Sequence, residues 1–433
     1  NLGAFKFEDI TERVGLSKAL ADHWSISASF VDIQGDGYLD LYVCGYRSPN
    51  KLFVNSGRGV FEERAEEFGL RYAGASLMMS FADYDRDGDL DAYLLTNRQF
   101  GGKRPEKLDF KLLPSGHVIT PAPYESEVGA MMKPDGALHQ FDAGQRDILY
   151  RNEGGTFVDT GESAGIRGHF QGLSATWWDY NEDGWIDLYV ANDFEGPDHL
   201  YKNNKDGTFS DVIHEALPST PWFSMGSDAG DLNGDGRLDL IASDMAATTH
   251  YKQKMNMGDM EEMGWFLEMP LPRQYMRNAV YLNTGTSRFL EVAHITGLSS
   301  TDWTWAVKIA DFDCDSRNDV FFSNGMTRNY FNSDLRTKLK KIADETGVNQ
   351  WDEYPPLRER NLAFRREGEG LAFREVSREW GITEETTSFG AAVGDLDGDG
   401  DLDLVVSNFE ERPGVFRNSN AEGERVVVVL QGR

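Results

Sequence analysis

Six times the chain repeats one nine-residue phrase of acid and amide side chains, Asp-x-(Asp/Asn/Gln)-x-Asp-Gly-x-x-Asp. Oxygen-bearing residues fall at positions 1, 3, 5 and 9. The copies are Asp32-Gln34-Asp36-Asp40, Asp83-Asp85-Asp87-Asp91 and Asp179-Asn181-Asp183-Asp187, followed by Asp231-Asn233-Asp235-Asp239, Asp311-Asp313-Asp315-Asp319 and Asp395-Asp397-Asp399-Asp403. Acids packed this densely repel one another unless a cation lies between them. A hard divalent ion that takes six to eight oxygens in flexible geometry fits, and calcium is that ion. The carbonyl of position 7 is expected to add a backbone ligand. The residues there, Tyr38, Asp89, Trp185, Arg237, Arg317 and Asp401, are chemically varied, as a role for the main chain alone allows. Up to six calcium ions follow.

An Asp-Gly pair is also simply a good hairpin turn. One copy would carry little weight; six in register carry a great deal. Two copies depart from the pattern. Gln34 keeps an oxygen but no charge, which predicts weaker binding in loop one. Ser316 stands where the others have Gly, at a position that needs positive φ, which predicts strain in loop five.

The residues after each loop, such as Leu41-Tyr-Val, Leu188-Tyr-Val and Leu404-Val-Val, are strand formers. No Glu stands at position 12 with flanking helices, so these are loops inside β-hairpins and not EF-hands. First Asp to first Asp, the loops lie 51, 96, 52, 80 and 84 residues apart. The short intervals define a unit near 51 residues, and the longer ones hold insertions. A second phrase fills the unit: a strand ending in Asn, a Gly turn, then Phe, as in Leu52 to Phe61, Leu149 to Phe157, Leu200 to Phe209 and Tyr281 to Phe289. Each unit offers four short strands. Four-stranded units repeated at this period predict an all-β fold, a β-propeller over residues 1–433.

Six blades are counted, and the insertions leave room for a seventh without a loop. Phe7-Glu-Asp-Ile-Thr-Glu-Arg-Val-Gly-Leu16 matches the last strand of the other units, so a strand over 4–16 is expected to close the ring with the last blade. The insertions span about 98–147, 246–277 and 327–360. The first carries a hairpin around Pro114-Ser-Gly116. The second is rich in methionine (Met255, Met257, Met260, Met263, Met269 and Met276). The third holds a helix over about Asp334–Glu345 with Asp334 as its cap. Insertions this long are usually functional.

The formal charge is −29, and six calcium ions would leave about −17, which argues against nucleic acid or an anionic membrane as partner. No apolar stretch is long enough to span a bilayer. Cys44 and Cys314 lie in units one and five and are not expected to pair. Loops of this kind saturate only near millimolar calcium, so a secreted, periplasmic or cell-surface setting is expected. A first residue Asn1 in place of Met agrees with a removed export signal.

The loops and the Leu-Tyr-x-Asn…Gly…Phe phrases resemble the FG-GAP/VCBS repeat family, the calcium-loop propellers of integrin α-subunits and many secreted bacterial proteins. The chain is similar, more narrowly, to cartilage-acidic-protein-like bacterial proteins in which such repeats precede an ASPIC/UnbV module. Glu424-Arg-Val-Val-Val-Val-Leu-Gln-Gly432 resembles the first strand of that module. The resemblance implies an extracellular calcium-binding propeller used in adhesion or protein interaction, and it does not imply a catalytic activity. A protein or glycan ligand and self-association are the expected partners. A polysaccharide-active enzyme of the lyase-propeller kind and a lectin are the alternatives. The eight histidines are scattered without metalloenzyme spacing; His250, at the mouth of an insertion, is the one to test. The methionine cluster is read as adaptable packing, with a copper(I) site as the other option. Of Trp177 and Trp178, and of Trp303 and Trp305, one each should be core. Trp222, Trp265 and Trp351 are candidates for stacking on a ligand.

Overall fold

The computed structural model describes residues 2–419 apart from 4, 100–106, 114–117, 167–168, 195, 258–264, 266–272 and 349. In blade one, Ser25–Val31 runs into the first Asp loop and Asp40–Pro49 leaves it. Lys51–Asn55 and Phe61–Glu63 then complete an antiparallel sheet. Blade two repeats this with Ala73–Ala82, Asp91–Thr96, Ile148–Asn152 and Phe157–Asp159. Blade three uses Gln171–Trp178, Asp187–Asp193, His199–Asn203 and Phe209–Asp211. Blade four uses Ser227–Gly230, Asp239–Ala242, Ala279–Asn283 and Phe289–Glu291. Blade five uses Thr304–Ala310, Asp319–Asn324, Leu362–Arg366 and Phe373–Glu375. The sixth sheet has three strands, Ser388–Gly394, Asp403–Asn408 and Gly414–Phe416.

The first strands of successive blades touch in order, so the sheets form a propeller-like ring. Second strands are apolar on both faces because each lies between two neighbours. Leu188 and Val190 pack toward blade two, while Tyr189 and Ala191 of the same strand pack toward blade four. Leu188 and Val190 each contribute about 1.5–3 kcal/mol of burial. Aromatics two residues before the first Asp of the loop seal the junctions: Phe81 packs on Tyr42 of blade one, and Trp177 on Tyr93 of blade two. Phe30, at the same position of blade one, remains 65% exposed.

The expected strand over 4–16 differs. Residues 6–10 have no strand pairing, and the segment continues through a turn into a short helix, Leu16–Ala19. Phe5 nevertheless lies against the Arg417 guanidinium of blade six, 5.8 Å from ring centre to Cζ.

All three insertions leave a second strand and return at a third: 96 to 148 in blade two, 242 to 279 in blade four and 324 to 362 in blade five. The Asp loops join first strands to second strands. Because neighbouring strands are antiparallel, the insertions occupy the opposite face of the ring from the loops. They also meet one another. Trp265 of the second insertion lies 4.6 Å from His139 of the first, with Lys133 Nζ 4.9 Å from its ring. The helix His250–Met257 rests on the helix Ser333–Thr346 of the third. Trp222, Phe223, Met225, Met245 and Trp303 form the buried floor beneath them, joined by Met131, Met276 and Phe331.

Details of the insertions correct the expectations. Asn332, not Asp334, caps the long helix, because its Oδ1 accepts from Leu335 N at 3.0 Å while Asp334 sits in the first turn. Trp222 is buried in the floor and unavailable for stacking. The hairpin of the first insertion is present as Lys111–Leu112 paired with Val118–Ile119, although its tip lies outside the described residues. So do Met260, Met263, Met269 and the 424–433 segment. Trp178 and Trp303 are the buried members of their pairs, and Cys44 and Cys314 are not joined in a disulfide.

One ionic cluster fastens this cap to the ring. Lys252 Nζ lies 2.7 Å from Asp302 Oδ2 and 2.9 Å from Glu359 Oε1, and both carboxylates are largely buried. Lys252→Met would leave the two acids facing each other without a cation. We expect a loss of about 2–4 kcal/mol in urea unfolding, with faster amide exchange over residues 248–257.

Candidate metal loops

Position 9 does work that its spacing did not reveal. Asp40, Asp91, Asp187, Asp239, Asp319 and Asp403 are essentially inaccessible to solvent. In each, Oδ2 accepts from the N–H at position 2 of its own loop at 2.8–3.2 Å. Oδ1 accepts from the N–H that ends the third strand, Asn55, Asn152, Asn203, Asn283, Arg366 or Asn418, at 2.7–3.0 Å. The expectation that position 9 simply closes a metal shell is therefore incomplete. The carboxylate ties loop, second strand and third strand together, with lone pairs to spare for a cation.

Burial raises these acids. Asp91, Asp187 and Asp319 are pushed up to about 7 and Asp239 to about 6, each mainly by desolvation and further by the other loop acids. Asp40 is raised for the same reason. The backbone N–H donors oppose the shift.

Position 1 holds the turn. Asp32, Asp179 and Asp311 each accept from the N–H groups of positions 5 and 6 at 2.7–3.0 Å. Asp231 and Asp395 do the same and add the N–H of position 4. Position 5 accepts from the N–H of position 7, as Asp36 does from Tyr38 at 2.9 Å and Asp183 from Trp185 at 3.0 Å. Asn181 and Asn233, at position 3, accept from the N–H of position 5.

The Gly of position 6 is at φ 83–99° in five loops, and Ser316 is forced to φ 70° in the sixth. Position 4 is also left-handed in every loop: Gly35, Arg86, Glu182, Gly234, Cys314 and Gly398. The glycines at three of these positions were the available signal.

The loops separate by charge. Loops two, five and six carry acids at positions 1, 3 and 5. Each brings three carboxylate oxygens within 4.8 Å of one another, from Asp83, Asp85 and Asp91, from Asp311, Asp313 and Asp315, and from Asp395, Asp397 and Asp399. Loops one, three and four have an amide, Gln34, Asn181 or Asn233, as the third donor. Asp83 Oδ1, Asp89 Oδ1 and Asp397 Oδ1 are buried without a hydrogen-bond partner. A buried, unpartnered carboxylate oxygen is costly, and a divalent cation removes that cost. The residues thus fit an oxygen-ligated ion in these loops, and Asp89 offers a side chain where only a carbonyl was expected.

Basic heads meet outer oxygens in loops three to six. Lys205 reaches Asp183 at 3.2 Å, Arg237 reaches Asp235 at 3.2 Å, Arg317 pairs with Asp315, and Arg417 reaches Asp397 at 2.7 Å. Of the other position 7 residues, Tyr38 is exposed against Gly57 and Trp185 lies under Arg86.

A family model for the FG-GAP-like repeat matches residues 32–94 and 179–242, which hold loops one to four. No curated protein sequence matches the chain significantly. Among solved structures, an Agrocybe aegerita lectin specific for non-reducing terminal N-acetylglucosamine is 15% identical, over 92% of this chain and 81% of that one, at a TM-score of 0.41. The V. cholerae biofilm matrix protein Bap1 is 11% identical over 94% and 80%, at 0.35. A Photorhabdus luminescens Tc holotoxin pore is 13% identical over 88% and 17%, at 0.29.

Two substitutions test the loop geometry. Ser316→Gly should stabilise the protein by about 0.5–1 kcal/mol in chemical denaturation, since glycine occupies this backbone region without strain. Asp187→Ala should cost about 2–4 kcal/mol even without added metal, because two buried N–H donors lose their acceptor. The FG-GAP-like repeats over 32–94 and 179–242 and the propeller-like ring of sheets together support the FG-GAP-repeat propeller family.

Proposed function

We propose that the chain is an extracellular calcium-binding propeller whose ions are structural and whose capped face engages a protein or glycan partner. The observation that carries this reading is the division of the ring into two faces. One face is given to acidic loops tied into the strands; the other carries all three insertions. The insertions expose large apolar side chains, including Tyr251, Tyr275, Val348 and Trp351, above a packed floor. Exposed aromatics on a rigid support are suited to stacking on sugar faces or filling a protein's pockets. Bound calcium would neutralise each ring of acids and hold each hairpin to its blade, so ion binding and folding are coupled. Sites built from side-chain oxygens in a short loop match the millimolar calcium found outside cells. No helix among the described residues is long and apolar enough to cross a membrane.

Two measurements test the two halves. Calorimetry in millimolar calcium and in excess EDTA should show melting lowered by about 10 °C or more on chelation, the sum of several sites each stabilising the native state by mass action. Unchanged melting would remove the structural role. Binding to an array of defined glycans, and self-association by analytical ultracentrifugation, should both be read for the native chain and for Tyr251→Ala/Trp351→Ala. Binding that persists unaltered in the double variant would move the interaction off this face.

A further inference from the structure

Among the described residues no fourth strand pairs with the third strand of blade six, Gly414–Phe416, whereas in each of the other five blades a short fourth strand covers that edge. The N-terminal segment has the local form of the missing piece. Its turn is closed by Leu2 N donating to Lys6 O, as Ser56 N donates to Val60 O and Asn204 N to Thr208 O just before the fourth strands of blades one and three. Its Phe7-Glu8-Asp9 repeats the Phe-x-acid of those strands. The exit matches as well. Asp9 accepts from Thr11 N at 2.9 Å, and Glu63, Asp159, Asp211, Glu291 and Glu375 each accept from the N–H two residues on at 2.8–3.1 Å. Yet Phe7 is 52% exposed, while Phe157, Phe209, Phe289 and Phe373 are buried.

Register identifies the residue that decides between the two states. In the finished blades the residue before the end of the third strand pairs with the one after the fourth-strand Phe: Val54 with Glu62, Arg151 with Val158, Lys202 with Ser210, Leu282 with Leu290 and Arg365 with Arg374. In blade six Asn418 is the counterpart of Asn55, Asn152, Asn203, Asn283 and Arg366, so by the same register Arg417, just before it, faces Glu8. In this structure the Arg417 guanidinium instead reaches into loop six, 2.7 Å from Asp397 Oδ2 and 3.3 Å from Asp399 Oδ2, with its Cζ over the Phe5 ring. Glu8 pairs with the exposed Arg13, at 3.4 Å. Asp397 has a nearly inaccessible side chain whose Oδ1 has no partner.

From these contacts we infer that Arg417 is a stand-in cation for loop six, and that a divalent ion there releases it to Glu8. The release docks Phe7–Asp9 as the fourth strand of blade six. Phe7 then takes the place that Phe209 and Phe289 occupy in their blades, against the aromatic at position 2 of the preceding loop, Tyr84 or Tyr180 there and Phe312 here. Asn418 already reaches that loop, donating from Nδ2 to Phe312 O at 2.6 Å. Calcium thereby closes the ring at its outer edge. This inference rests on the calcium reading above.

The test is amide exchange of residues 7–9 in calcium and in EDTA, with ion uptake counted by titration calorimetry. In the native chain calcium should slow exchange there by at least about fivefold, a change within the range of an ion pair plus strand docking. Arg417→Gln should still take up calcium at loop six but lose most of that slowing, and Glu8→Gln, which does not touch the loop, should do the same. Calcium uptake with no change at residues 7–9, or an undiminished change in both variants, overturns the inference and leaves the calcium reading standing. Absence of uptake overturns the calcium reading, and the inference with it.

Discussion

The fold depends on one carboxylate per blade, the aspartate at the ninth position of each loop. It is buried, it accepts two backbone N–H groups from different strands, and it lies beside two or three further acids. Desolvation and like charge both oppose its ionisation, while the hydrogen bonds support it. A single divalent ion would satisfy the neighbouring acids without displacing those donors. The loop can therefore be both a brace and a ligand set, and the same atoms account for the repeat, the strand pairing and the metal chemistry.

This arrangement also links blades. Asn203 donates from Nδ2 to Tyr84 O of loop two, Asn283 to Tyr180 O of loop three and Asn418 to Phe312 O of loop five. In blade five Arg366 replaces the asparagine, and its longer side chain reaches one residue further, to Asn233 O at 2.6 Å. Loops two to five are thus each gripped by the following blade. Disturbance at one loop is felt at a junction as well as inside a sheet, as expected of a repeat array held by neighbour contacts.

Much of this was legible in the residues. Spacing of the acids located every first-to-second strand connection, and the Leu-Tyr-x-Asn phrases located the third strands, because both patterns mark backbone turns with strict geometry. The strain at Ser316 could be read from the glycines it replaces. The bracing role of position 9 could not, since its two donors come from segments up to 61 residues away. Asp89 was misjudged for a related reason: spacing says which residue is at position 7 but not where its side chain turns. The shared face of the insertions needed strand order, not composition. At the N-terminus the phrase from Phe7 to Leu16 has the right residues, but a fourth strand exists only when its edge partner accepts it.

The placement of the insertions separates two pressures that usually compete. Residues that keep the ring intact lie in the acidic loops and between sheets, whereas the three long excursions emerge at the far ends of those strands. Lengthening or rewriting an excursion leaves every loop acid and every contact between the sheets in place. Apart from the Lys252 cluster, a lineage carrying this scaffold is consequently free to rebuild that face without disturbing the contacts that hold the ring together.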